Sequence, residues 1–66
     1  MTIILNGDPH PCEPGLTVRA LLDSLGLAGR PVLVERNGAA LLPGEVATTP
    51  LAEGDRLEVV ELAAGG

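Results

Sequence analysis

Few residues in this 66-residue sequence could carry chemistry. The sequence closes on Gly65-Gly66. Glycine has no Cβ, so such a pair threads a narrow channel and takes backbone angles closed to other residues. A free α-carboxylate on that stalk suits insertion into another enzyme's active site, with the carboxyl group as the reacting centre. The plainer alternative is a frayed chain end. His10 and Cys12 are the second candidate. Two residues apart on a strand, they share a face and could pair a base with a nucleophile. No orienting carboxylate or oxyanion donor stands out beside them and the segment is rich in proline, so Cys12 is read as a small buried apolar residue. Asp55, after Gly54, is read as a turn and loop residue rather than an acid catalyst. No Cys/His cluster is present, so no metal site and no bound cofactor are expected, and no catalytic residues are assigned.

Composition narrows the function classes. A chain of this length makes one domain near the lower limit of what folds without a staple. A single cysteine allows no internal disulfide and fits a reducing cytoplasm. No apolar run is long enough to cross a bilayer, and residues 1–5 are too short and lack the basic leader of a signal peptide. The formal charge of −5 argues against nucleic acid, whose phosphates need Lys and Arg. It favours a protein partner with a basic docking face, or serves only to keep a small protein soluble. Phe, Tyr and Trp are absent, so the core must be aliphatic. Lysine is absent too, so an activated terminus would find no lysine amine on its own chain. An Arg-, Ala- and Gly-rich compositional bias explains the same absence.

The positioning elements follow from periodicity. Residues 2–6 read as a strand with Ile3 and Leu5 on one face and Ile4 on the other, closed by the turn cluster Asn6-Gly7-Asp8-Pro9. Residues 10–13 read as a returning strand. Pro9, Pro11 and Pro14 cannot donate ladder hydrogen bonds, which places that strand at a sheet edge. Val18, Leu21, Leu22 and Leu25 form one helical stripe. Thr17 is the expected N-cap, Leu16 and Leu21 a hydrophobic staple, and Gly26 the helix stop with Leu27 folding back. Arg19, Asp23 and Ser24 face water. Residues 31–37 read as a strand with Val32 and Val34 on one face and Leu33 and Glu35 on the other, ending at the Asn37-Gly38 turn. Residues 39–49 are ambiguous: Pro43-Gly44 breaks them, and any strand there is short. Residues 51–55 form a loop, and residues 56–62 are the last strand. In it, Leu57 and Val59 share one face and Glu58, Val60 and Leu62 the other.

The order β, β, α, β, short β, β with one buried helical stripe is α+β. If the last strand returns beside the first, it becomes a β-grasp, with a mixed four- to five-stranded sheet on one main helix. Residues 1–62 would form that domain and residues 63–66 a flexible tail.

Several segments, in order and spacing, resemble the ThiS family of bacterial sulfur carriers within the ubiquitin-like β-grasp group. They are Ile3-Ile4-Leu5-Asn6, the lead Cys12-Glu13-Pro14-Gly15-Leu16-Thr17-Val18 into a Leu-Leu helix, Val34-Glu35-Arg36-Asn37-Gly38, Leu51-Ala52-Glu53-Gly54-Asp55-Arg56-Leu57, and the terminal Ala63-Ala64-Gly65-Gly66. The missing aromatics and Arg36 depart from the pattern of many members. The resemblance implies a carrier rather than an enzyme. A ThiF-like adenylating enzyme would use ATP to couple Gly66 to AMP, a persulfide donor would displace AMP, and the resulting Gly66 thiocarboxylate would supply thiazole synthase with sulfur for the thiazole ring of thiamine. Gly66 would carry the sulfur, Gly65 would keep the tail slender, and Ala63 and Ala64 would extend it. Carriers for molybdopterin synthesis or tRNA thiolation, and a plain β-grasp interaction module, remain the alternatives. Ile4, Val60 and Leu62, on the face opposite the core, are the candidate docking residues, with Glu58 and Glu61 as further candidates for a basic partner or as solvated strand charges. The free protein is expected to be a cytoplasmic monomer that binds neither nucleic acid nor membrane.

Overall fold

The computed structural model describes residues 1–63. Its elements are β1 (Thr2–Leu5), β2 (Asp8–Pro11), α1 (Val18–Ser24), β3 (Val32–Arg36), β4 (Ala39–Ala40), α2 (Pro43–Val46) and β5 (Arg56–Glu61). The five strands form one sheet in the order β2-β1-β5-β3-β4. β5 runs parallel to β1 and antiparallel to β3, while the two hairpins β1–β2 and β3–β4 are antiparallel. β5 does return beside β1, and this mixed sheet with α1 across one face is the ubiquitin-like β-grasp that the element order allowed and the resemblance implied. No helix among the described residues is long and apolar enough to cross a membrane.

Both hairpins turn on an Asn-Gly pair. Asn6 and Gly7 have φ of 49° and 88°, and Asn37 and Gly38 have 51° and 87°. Two successive left-handed residues match the strand twist, and asparagine and glycine tolerate that region best. The first turn is tight, so Asp8 already faces Leu5 and Pro9 faces Ile4. The returning strand is therefore Asp8–Pro11 rather than residues 10–13, and it lies at the sheet edge that its prolines require.

Thr17 caps α1, its hydroxyl accepting from the Ala20 N–H at 3.1 Å. At the other end Gly26 has φ of 77°, its N–H donates to the Asp23 carbonyl, and the Leu27 N–H donates to that of Leu22. That pair of bonds satisfies two carbonyls that the helix leaves open. Val18, Leu21 and Leu22 are fully buried, but Leu25 is the C-cap and stays 37% exposed, outside the stripe assigned to it. The ambiguous segment resolves into β4 and a single helical turn. Pro43 opens α2 instead of breaking it, because a helix's first turn needs no N–H from that position. The Glu45 carboxylate accepts from the Leu42 N–H at 2.8 Å and closes the turn's start.

The core is aliphatic: Ile3, Val18, Leu21, Leu22, Val34, Val46, Leu51 and Leu57. Two backbone bonds seat the helix entry on the segment before β5, from Val18 N–H to the Thr49 carbonyl and from Leu51 N–H to that of Leu16.

Candidate functional site

β5 is the central strand, and the tail follows directly from it. The two hairpin asparagines fasten this strand with their side chains. Asn6 Oδ1 accepts from the Val59 N–H at 2.8 Å, and Asn37 Oδ1 accepts from the Arg56 N–H at 2.9 Å. Turn chemistry alone identified both residues, and nothing in it signalled this second role. At the far end, the Leu62 N–H donates to the Pro31 carbonyl at 2.8 Å, the last described bond between this strand and the sheet. Arg30 pairs with Glu61 at 2.6 Å beside it. Both groups are well exposed, so this pair is worth well under about 1 kcal/mol. Ala63 follows, exposed and outside regular structure. Ala64, Gly65 and Gly66, assigned to the tail and to the sulfur-carrying end, lie outside the described residues.

The structure divides the three docking candidates. Val60, on the outer face of β5, and Leu62, just past its end, are 53% and 49% exposed near the root of the tail. Ile4 shares that face but is only half-buried and stands beside Arg56. At the rise of a strand, this puts it about 13 Å from Val60. The parallel register of β1 and β5 causes the separation, and face alternation alone does not reveal register. Leu33 takes the place of Ile4. It lies directly across from Val60 and is 44% exposed. The sequence put Leu33 on the outer face without showing which residue it would meet.

His10 and Cys12 do line one depression of about 430 Å³ between β2 and α1, together with Glu13, Leu16, Leu21 and Ser24. The thiol donates to the backbone carbonyl of His10 at 3.7 Å rather than to its imidazole. Cys12 is half-buried and packs against the core. Burial pushes its pKa up, against a smaller opposing pull from the positive N-terminus. The thiol therefore stays protonated at neutral pH, which suits packing and not nucleophilic attack.

Asp55 is buried to 6% exposure and serves the fold. Its carboxylate accepts from Arg36 Nε at 2.9 Å, Asn37 Nδ2 at 3.1 Å and the Ala52 N–H at 2.8 Å. The Asp55 group thus locks the β3–β4 turn to the start of β5. Burial alone would raise the pKa, but the hydrogen bonds from Ala52, Asn37 and Arg36 and the Arg36 charge outweigh it, and the pKa is lowered. A carboxyl whose folded-state pKa is depressed stabilises fully above its unfolded value near 4 and loses that contribution as pH falls through the folded value. Chemical denaturation from pH 5 to 2 is expected to show falling stability, with a shallower slope in Asp55→Asn. At pH 7 that variant should lose about 2 kcal/mol, because Arg36 loses its counter-charge and the amide keeps only one of the two accepting oxygens. An unchanged pH slope in the variant would remove Asp55 from this role.

Comparison with known proteins gives a consistent answer. The ThiS family matches residues 3–66. The sulfur carrier protein ThiS of Thermus thermophilus is 44% identical over 62 residues, covering 94% of this chain and 95% of that protein. A thiazole synthase of Magnetococcus marinus is 46% identical over all 66 residues, although the chain spans only 20% of that protein's length. The crystal structure of the thiamine biosynthesis protein ThiS from Geobacter metallireducens superposes with a TM-score of 0.83 at 32% identity, each chain fully covered. The match over residues 3–66 and the near end-to-end identity to a sulfur carrier show that this chain belongs to the ThiS family.

Proposed function

We propose that this chain is a sulfur carrier for thiamine biosynthesis, a protein cosubstrate whose Gly66 carboxylate is the working group. The observation that carries the reading is the near end-to-end match to a sulfur carrier that shares this length, ending in Gly65-Gly66. The architecture supports it: the central strand delivers its end beside exposed Leu33, Val60 and Leu62, so a partner gripping that face would lie next to the tail.

The chemistry begins with a carboxylate, which is a poor electrophile. In the active site of a ThiF-like adenylating enzyme, a Gly66 oxygen attacks the α-phosphorus of ATP and pyrophosphate leaves. The acyl adenylate is a reactive mixed anhydride. The terminal sulfur of a partner persulfide attacks its carbonyl carbon and AMP leaves. A second partner thiol then takes the donor sulfur into a disulfide, releasing the Gly66 thiocarboxylate. The recipient is thiazole synthase, a partner supported by the thiazole synthase that contains a segment like this chain. The chain is acted on at each step. Activation, cofactor use and ring formation belong to its partners, and ATP is bound by the adenylating enzyme.

The test is the intact mass of the protein isolated from its own cells without thiol reagents. The expected result is a species heavier by one oxygen-to-sulfur replacement, mapped to Gly66. Unmodified chain alone, even after incubation with ATP, the cognate adenylating enzyme and a persulfide donor, would overturn the reading in favour of a docking module.

A further inference from the structure

Two of the four arginines gather at one cleft on the helix side of the sheet. Arg36 is held by buried Asp55, and Arg56 stands on the outer face beside Ile4. The other two, Arg19 on α1 and Arg30 ahead of β3, both line a cleft of about 220 Å³ between α1, β3 and α2. Val32, Val34 and Leu41 supply apolar wall. Val32 and Val34 flank Leu33 in the strand, so the cleft opens on the face opposite Leu33 and Val60. Arg19 is exposed, and among the described residues the ion pairs are Arg30 with Glu61 and Arg36 with Asp55. Arg30 keeps donors beyond its pair, since a guanidinium carries five N–H groups. Leu42 stands at the rim, between the lining residues Leu41 and Pro43, and its side chain is 66% exposed.

The cleft is smaller than the roughly 300–1,000 Å³ of small-molecule sites. Its size and chemistry suit a side chain of another protein: an apolar wall, a leucine at the rim and two guanidiniums that pair with carboxylates. Its place in the fold bears on which protein. Pro31, in the lining, accepts from the Leu62 N–H, and Arg30 holds Glu61, so the cleft begins at the root of the tail. Residues 63–66 span at most about 14 Å when extended, which keeps the Gly66 carbonyl within reach of a protein seated there. In the carrier chemistry three bodies meet at that carbon: the carrier, the adenylating enzyme and the persulfide. The acyl adenylate hydrolyses if it is released into water, so the persulfide must arrive while the adenylating enzyme still holds the tail. The helix side answers that need, because a partner gripping Leu33 and Val60 leaves it uncovered.

We propose that the cleft carrying Arg19 and Arg30, with Leu42 at its rim, is the docking site of the protein that delivers the persulfide, which presents a carboxylate beside an apolar side chain. The inference rests on the carrier reading above. Charge complementarity selects the occupant: two guanidiniums standing together on a chain of formal charge −5 attract an acidic segment and disfavour a basic one. With its partners on opposite faces of one sheet, the carrier receives the donor without first leaving the adenylating enzyme.

The experiment compares wild type, Arg19→Gln with Arg30→Gln combined, and Leu42→Ser. Each free protein is melted, then assayed with the adenylating enzyme of the same organism in two steps. Pyrophosphate release without a sulfur source reports activation, and intact mass reports thiocarboxylate formation. The second step is run with the protein persulfide donor at low and high salt, and separately with sulfide ion, which attacks the adenylate without docking. The variants should melt within about 1–2 °C of wild type, because the changed side chains are exposed. Pyrophosphate release and the reaction with sulfide should be unchanged. The KM for the protein donor should rise about tenfold in the double variant, with a flatter salt dependence, and about threefold or more in Leu42→Ser. If the double variant keeps both its KM for the donor and its salt dependence, the proposal fails while the carrier reading stands. Slower pyrophosphate release, or a slower reaction with sulfide, would overturn it too, by showing that the cleft serves activation or the fold. If wild type is not adenylated, both readings fall together.

Discussion

Gly65→Val is expected to lower kcat/KM for adenylation by about a hundredfold or more, while the domain melts within about 1–2 °C of wild type. Valine adds a branched side chain immediately before the reacting residue. It removes the backbone freedom of glycine and widens the segment that the proposed function inserts into a catalytic channel. A displacement of about 1 Å at a reacting centre can itself cost a hundredfold, so steric exclusion of this kind should be severe. The domain is expected to keep its stability, since the Leu62 N–H already fixes the strand end to the Pro31 carbonyl three residues before the substitution. Adenylation by pyrophosphate release, alongside thermal melting, separates the two effects. Normal adenylation of the folded variant would mean that the penultimate glycine is not needed for entry.

Leu57→Ala should have the largest effect on the fold itself. Leu57 is fully buried on the central strand and belongs to the same cluster as Ile3, Leu21, Leu22 and Val34. Truncating such a leucine costs about 2–5 kcal/mol, from lost burial and the cavity left behind. A domain of this size with no disulfide has a total stability of only about 3–5 kcal/mol. The variant should therefore be largely unfolded at 37 °C, with circular dichroism and urea titration as the readouts. Carrier activity should vanish with it, although Leu57 is remote from the tail along β5. A variant that stays cooperatively folded, with a urea midpoint near wild type, would show that the core around β5 relaxes to fill the space.

These two substitutions separate what was legible in the sequence from what was not. Periodicity and capping chemistry located α1 to within a residue or two, because Thr17, the leucine stripe and Gly26 act over neighbouring turns. The Asn-Gly pairs located both hairpins for the same reason: their φ requirement is local. Pro9 and Pro11 placed β2 at an edge, since a missing donor is excluded from a sheet interior. The one-turn α2 was missed because Pro43-Gly44 reads as a break, whereas Pro43 at a helix start is favourable once Leu42 and Glu45 are brought together. Leu25 was misplaced because a stripe does not show which turn is the last.

The sequence by itself determined the order of the strands around the main helix, an aliphatic core and the two faces of the strands. Each of these depends on residue type and on spacings within a few positions. The tertiary structure decided which outer-face residues meet. Strand register put Leu33 across from Val60 and Glu35 across from Glu58, and it moved Ile4 away to stand beside Arg56. It also gave Asn6, Asn37 and Asp55 their long-range work of holding β5 in place. Those pairings join residues far apart in the chain. A strand's side-chain alternation is the same whichever residue of its neighbour it faces, so only the assembled sheet could reveal them.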